Sequence, residues 1–224
     1  MQVQINPDIF NFFSSLKTNN NREWFDAQKP RFKALEKEFK EIGVALQSKL
    51  NETDSIDQLK LFRIYRDVRF SNDKTPFKTH FGMSFSRQKP ALRGGYYIHI
   101  QPGGSFIATG FWDPSKEDLL RIRKELETDA DELRTLMATE NFKKAWGNLE
   151  GEEVKTAPKG FSKEGANIDL VRKKQYLFIQ NFTDEEVLAP DFMTQVLDRF
   201  VKIRPFFDYM SSVLTTDLNG VSLL

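Results

Sequence analysis

Apolar residues recur along this chain with two different periods, and the change of period divides it. Ile9, Phe10, Phe12, Phe13 and Leu16 line one side of a helix opening at Asn6-Pro7, with Asn6 as N-cap and Pro7 at the first helical position, where a missing N–H costs nothing. The triplet Asn19-Asn20-Asn21 ends it. A second helix starts at Arg22, anchored by Trp24 and Phe25, and Pro30 is expected to kink or restart it near Gln28. Phe32, Leu35, Phe39, Ile42, Leu46 and Leu50 then follow at intervals of 3, 4, 3, 4 and 4, an amphipathic helix of about five turns.

After a polar stretch over 51–58, alternation takes over. Leu59 to Tyr65 predicts a strand with Lys60, Phe62 and Ile64 on one side and Leu61, Arg63 and Tyr65 on the other. Ser71-Asn72-Asp73 marks a loop, and Thr79 to Arg87 predicts a strand with Phe81, Met83 and Phe85 opposite His80, Gly82, Ser84 and Ser86. Tyr96 to Gln101 and Ser105 to Trp112 form a hairpin about Pro102-Gly103-Gly104. With Gly103-Gly104 as the turn, Ile100 faces Ile107, Ile98 faces Thr109 and Tyr96 faces Phe111. His99 then faces Ala108 and Tyr97 faces Gly110, which leaves room above the sheet beside His99.

Helical signals resume with a capping box at Ser115 and Asp118, a net acidic helical region over 129–146, and a short helix capped by Asn167. The irregular segment 147–165 contains Pro158-Lys159-Gly160-Phe161, which presents Lys159. Tyr176 to Phe182 reads as a strand, Thr183 with Glu186 as a second capping box, and Pro190 to Leu214 as a last helix with Pro205 as its point of breakage. The pattern implies an α+β fold: a mostly antiparallel sheet, helices packed on its apolar face, long N- and C-terminal helices, and a single domain over residues 1–224.

Composition narrows the chemistry. A chain of 224 residues suits one substantial core, since compact domains run to roughly 100–200 residues. Its 21 Phe against 5 Tyr and 3 Trp point to a core built from large rings. With no cysteine there is no disulfide, thiol nucleophile or thiolate metal site. The N-terminus has no signal-like pattern and no segment approaches the ~20 apolar residues of a membrane span, so a cytoplasmic protein without membrane contact is the expectation.

Net charge is +1 overall, but Leu59 to Arg93 holds nine Lys or Arg against two acids, +7 locally, so the remainder sums to −6. Three readings stand: a solvated strand face, an anion pocket built from Arg forks and Lys point charges, or a nucleic-acid surface of interleaved basic and aromatic residues. The near-neutral total counts against the last. Asp67 and Asp73 read as partners for neighbouring Arg or as turn caps. The chain's two histidines, His80 and His99, both fall on the polar side of their strands with Tyr97, where near-neutral titration suits proton transfer. Two His and a nearby Asp could also ligate a metal, but no metal spacing, Walker loop, GxGxxG fingerprint or GxSxG elbow occurs, and the sequence leaves any cofactor unknown.

Asn20 to Phe25, the run RIYRDVRFSNDKTPFK from Arg63 to Lys78, Gly95 to His99, Gly110 to Pro114, Ile122-Arg123 and Pro158 to Phe161 resemble, in order, the blocks of domain-of-unknown-function family 2461. That resemblance implies a single domain of a family spread through bacteria and fungi, and it supplies no activity, cofactor or catalytic residue. The chain departs from the family pattern at Asn72, where Lys is common, at Phe77, where Tyr is common, and at Gly165-Ala166-Asn167, where Asp-His-Pro often follows. The expectation is an anionic-ligand groove: Arg63, Arg66, Arg69, Lys74, Lys78, Tyr97 and Lys159 bind a phosphate or carboxylate, and His80 and His99 are the candidate catalytic groups. The alternative is a nucleic-acid or protein-binding module without catalysis.

Overall fold

Two helices open the computed structural model, which describes residues 4–224. In α1 (Asp8–Thr18) the five apolar residues named above are buried; the helix starts one residue later than expected, with Pro7 rather than Asn6 at the N-cap, and Asn6 Oδ1 accepts the Asp8 N–H at 2.9 Å. In α2 (Arg22–Leu50) Asn21 caps the Trp24 N–H, and all six residues of the Phe32–Leu50 spacing are buried. Of the kink or fresh start expected near Gln28, the fresh start does not occur: α2 continues through Pro30.

Five strands form one antiparallel sheet in chain order among the described residues: β1 (Ile56–Leu61), β2 (Phe81–Arg87), β3 (Gly95–Ile100), β4 (Ser105–Phe111) and β5 (Tyr176–Phe182). The fold is therefore α+β. Between β4 and β5 lie α3 (Lys116–Thr128), α4 (Asp131–Ala138), α5 (Glu140–Trp146) and α6 (Ile168–Val171). After β5 come α7 (Asp184–Leu188), α8 (Phe192–Lys202) and α9 (Arg204–Thr215). Thr183 and Glu186 make both bonds of the predicted capping box at the start of α7. The expected long C-terminal helix is two helices that part at Ile203, and Pro205 sits in the first turn of the second.

One face of the sheet meets the helices through aromatic rings. Phe13 packs edge-on against Phe81 and Phe39 stacks on it, Phe200 and Phe207 meet Tyr96, and Phe206 and Phe142 meet Phe178. Across this face one row reads Leu59, Phe85, Tyr96, Thr109, Phe178. Offset rings of this kind add to the burial that drives the layer together.

Within this layer sits a charged network. The Asp54 carboxylate, its side chain 1% exposed, accepts from Arg87 Nε at 2.9 and 3.0 Å and from the Tyr96 hydroxyl at 2.6 Å. Arg204 Nε donates to the Tyr96 oxygen at 2.6 Å and lies 3.1 Å from the same carboxylate. Arg87 also donates to Arg93 O, Ser211 Oγ and Asp208 Oδ1 and lies over the Phe207 ring, so β2, β3 and α9 are tied to the turn before β1. Burial, then the adjacent Asp54, raises the Tyr96 phenol well above its ordinary value.

Two expectations about the strands are corrected. The first strand spans Ile56–Leu61 rather than 59–65: Phe62 still donates to Gly82 O at 2.9 Å, but the next residues turn away and pair locally. The β3–β4 register is shifted by two residues, so His99 faces Phe106, Tyr97 faces Ala108 and Ile98 faces Ile107. The cause is the turn. Gly104 N–H bonds Gln101 O at 3.0 Å, placing Pro102 and Gly103 at the centre, and Gly103 has φ +67°. Proline first and a positive-φ glycine second are what a type II turn requires. A shift of two keeps every side chain on its predicted face, but the space expected beside His99 is taken by the Phe106 ring.

Candidate functional site

Residues 63–78 leave the sheet as an excursion folded on itself. Lys78 N–H bonds Ile64 O at 2.7 Å and Arg66 N–H bonds Pro76 O at 2.9 Å. Asn20, at the corner between α1 and α2, clamps its returning arm: its amide donates to Phe77 O at 2.9 Å and accepts the Phe77 N–H at 3.1 Å, while the Phe77 ring stacks on Phe25 at 4.1 Å. Between this corner and the excursion lies a cleft of about 350 Å³, whose wall includes Lys17, Asn20, Arg66, Lys78, Thr79 and His80.

The excursion consumes much of its own charge. Arg66 donates to Asp73 and to both oxygens of Thr75, and the Asp73 carboxyl, which accepts first from the Thr75 N–H, then from the Thr75 hydroxyl and Arg66, is held down at about 2. Arg69 pairs with Asp67 at 2.6 and 2.9 Å, and Lys74 Nζ donates to Val68 O at 2.9 Å, both facing solvent. Asp67 and Asp73 are thus the Arg partners their positions suggest, while Arg66, Arg69 and Lys74 are satisfied without a ligand. Of these three only Arg66 reaches the cleft. Lys159 is exposed in the segment between α5 and α6 and is not in the cleft wall. Arg63, Lys78 and Lys17 are different: none has a carboxylate within ion-pair distance among the described residues. Burial, then the adjacent Arg63 charge, pushes the Lys78 ammonium below its ordinary value.

On the sheet face opposite the aromatic core, one row reads Lys60, Ser84, Tyr97, Ala108, Ile179, and the next Gly82, His99, Phe106, Asn181. The Tyr97 hydroxyl lies over Gly82, where a Cβ would come within 2.6 Å of it, so the ring can cross the strand only because position 82 has no side chain. His99 Nε2 lies 3.1 Å from Gln101 Oε1 and its Nδ1 3.2 Å from the Tyr97 oxygen. With Gln101 accepting, the neutral ring carries its proton on Nε2, and Nδ1 accepts from tyrosine. His80 stands beside it with ring centroids 4.0 Å apart, on the cleft wall, and makes no hydrogen bond to protein among the described residues. The two histidines are therefore unequal: His99 is saturated and holds position, and His80 has both nitrogens free for whatever enters the cleft.

Burial, then His99 and Lys78, depresses His80 to about 3, and burial lowers His99 as well. Unfolded, each titrates near 6.5. The unfolded chain therefore takes up more protons as pH falls below 6.5, and stability present above that pH drains away toward the folded value. The unfolding free energy read from urea denaturation is expected to drop between pH 7 and 5, before most carboxylates titrate, by on the order of 1 kcal/mol once the rings' partial exposure is allowed for. His80→Gln should flatten that slope, and a wild-type profile already flat there would contradict a buried neutral His80.

A five-stranded antiparallel sheet layered with helices defines the class as α+β. Comparison places it further: the profile of the conserved hypothetical protein family DUF2461 matches residues 8–209, and the chain belongs to that family. No curated protein and no solved structure matches it. Within the described residues no helix is long and apolar enough to cross a membrane, and no group of three or more His, Cys, Asp or Glu gathers as for a metal.

Sequence reasoning missed Lys17 and Asn20. The Asn triplet was legible as a helix terminator and as part of a family block but not as a clamp, because Asn20 acts on a peptide 57 residues away.

Proposed function

We propose that the cleft binds a small anionic ligand bearing a phosphate or carboxylate, with Lys17, Lys78 and Arg63 supplying charge and His80 exchanging a proton with the ligand. The observation that carries this is Lys78: a partly desolvated ammonium on the cleft wall beside the Arg63 charge, with no ion pair of its own among the described residues, while the nearby acids Asp67 and Asp73 are engaged by Arg69 and Arg66. Removing a charge from water without a partner is costly, and a bound anion reverses that cost. Tyr97 holds His99, whose ring backs His80, and neutral His80 accepts a proton as the anion's charge raises its affinity for one. The same reading puts the protein in the cytoplasm, where phosphorylated and carboxylated metabolites circulate.

Thermal denaturation tests it. Phosphate or a tricarboxylate at about a hundred times its Kd stabilises by about 2.7 kcal/mol, which raises Tm by roughly 5–10 °C for a chain of this size. Lys78→Met should fold and lose the shift. An equal shift from chloride at matched ionic strength, or an undiminished shift in Lys78→Met, would sink the reading. Phe70 favours a second reading, a module for nucleic acid or a protein partner: it is 96% exposed on the same excursion, with Arg69 against its ring. Strand binding that spreads over sequences and weakens steeply with salt would mark that case.

A further inference from the structure

Three rings form a continuous stack leading away from the cleft. His80 lies on the cleft wall, His99 is 4.0 Å from it and tilted by 34°, and Phe106 lies 4.6 Å beyond His99 and nearly parallel at 15°. The far part of the stack is fixed. His99 is bonded at both nitrogens, and Tyr97 packs 5.8 Å from Phe106. The near end is open in a chemical sense: the His80 nitrogens engage no protein group among the described residues. A stack of planar rings with an unbonded imidazole at its cleft end is a surface for one more planar ring, because π-faces attract whatever the heterocycle. The phosphate-binding charges lie in the same cleft, Lys17 and Lys78 on its wall. Lys78 and Lys60 approach the same Phe62 ring, at 5.7 and 5.1 Å, so positive charge runs along the strip next to the stack. A cleft of about 350 Å³ falls at the small end of the ~300–1,000 Å³ usual for small-molecule sites and has room for one nucleotide rather than a strand.

We infer that the ligand is a nucleoside 5′-phosphate, whose base stacks on the cleft side of His80 and whose phosphate is held by Lys17 and Lys78. This rests on the anion-binding reading above and adds the planar half of the molecule to it. The saturated His99 acts as a positioning residue, backing His80 so that its ring plane is set before the base arrives. Thr79, on the cleft wall, adds a hydroxyl within the same enclosure.

Isothermal titration of the intact protein separates the two layers of the claim. The probes are inorganic phosphate, ribose 5-phosphate, adenosine and uridine 5′-monophosphates, and a ten-residue single-stranded oligonucleotide. Either mononucleotide is expected to bind at least tenfold more tightly than ribose 5-phosphate, a difference of about 1.4 kcal/mol. His80→Ala should erase most of that ratio, and His80→Phe, which keeps a ring and loses the nitrogens, should restore it. Denaturation curves confirm that both variants fold. Ribose 5-phosphate and the mononucleotides binding equally would overturn the inference while leaving the anion site standing. If neither phosphate nor any phosphorylated probe binds, the anion reading itself falls. An oligonucleotide bound more than about a hundredfold better than the mononucleotides overturns the assignment to a free nucleotide and makes the cleft part of a strand-binding surface.

Discussion

Asp54→Ala should unfold at a temperature lower by about 10 °C or more. The carboxylate is the only acid in contact with Arg87 that is itself buried, and it also receives Tyr96 and Arg204. Removing it strands the Arg87 guanidinium, 2% exposed, with one exposed carboxylate at 3.2 Å. Breaking a buried pair from one side costs roughly 3–5 kcal/mol, and a chain of this length loses about 2–4 °C per kcal/mol. Asp208→Ala removes the exposed partner and should cost under about 1 kcal/mol. Asp54→Asn keeps an acceptor and should fall between the two. Guanidinium or thermal denaturation of the three variants settles the order, and an Asp54→Ala protein within 1 kcal/mol of wild type would show the network to be dispensable.

Gly110→Ala should be comparably damaging for a different reason. Gly110 has φ +125°, a conformation almost confined to glycine, and a Cβ there would lie 2.0 Å from the Tyr176 carbonyl oxygen on β5. Neither neighbour is a flexible side-chain end: the obstacle is the paired strand's backbone, so β4 and β5 must separate locally. We expect a loss of at least about 3 kcal/mol, combining backbone strain with broken ladder bonds. Gly103→Ala is the control, with φ +67° but open space around its Cβ. It should cost about 1 kcal/mol, and equal losses at the two positions would show that strain alone, and not the approach of β5, sets the penalty.

Local patterns carried much of the fold into the sequence. The Phe32 to Leu50 spacing, the Tyr176–Phe182 strand and the Thr183 capping box each depend on neighbours within a few residues, and each appears as read. The β3–β4 register was misread because two adjacent glycines compete for one turn, and proline's fixed φ, not the glycine pair, decides between them. The candidate site was less legible. His99 could be put on the polar face by counting, since strands alternate; β2 begins only at Phe81, so His80 stands one residue before the strand expected to carry it and meets His99 from there. The fate of Arg66, Arg69 and Lys74 could not be read that way, because a loop that folds on itself satisfies charges through bonds that no periodicity announces. Asp54 reads as one more acid in a polar stretch, and only the arrival of Arg87 and Arg204 distinguishes it.

The Asn20 clamp binds the peptide of Phe77 and leaves its ring alone. Two consequences pull apart from that. The ring at 77 answers to other neighbours, Phe25 and Tyr65, and to the cleft it helps to line, so a tyrosine there would alter the cleft wall without touching the clamp. Asparagine 20 has no such freedom, since only a side-chain amide offers a donor and an acceptor at that reach. Position 20 therefore works as a hinge pin: it fixes the mouth of the cleft through a peptide, whichever ring that peptide carries.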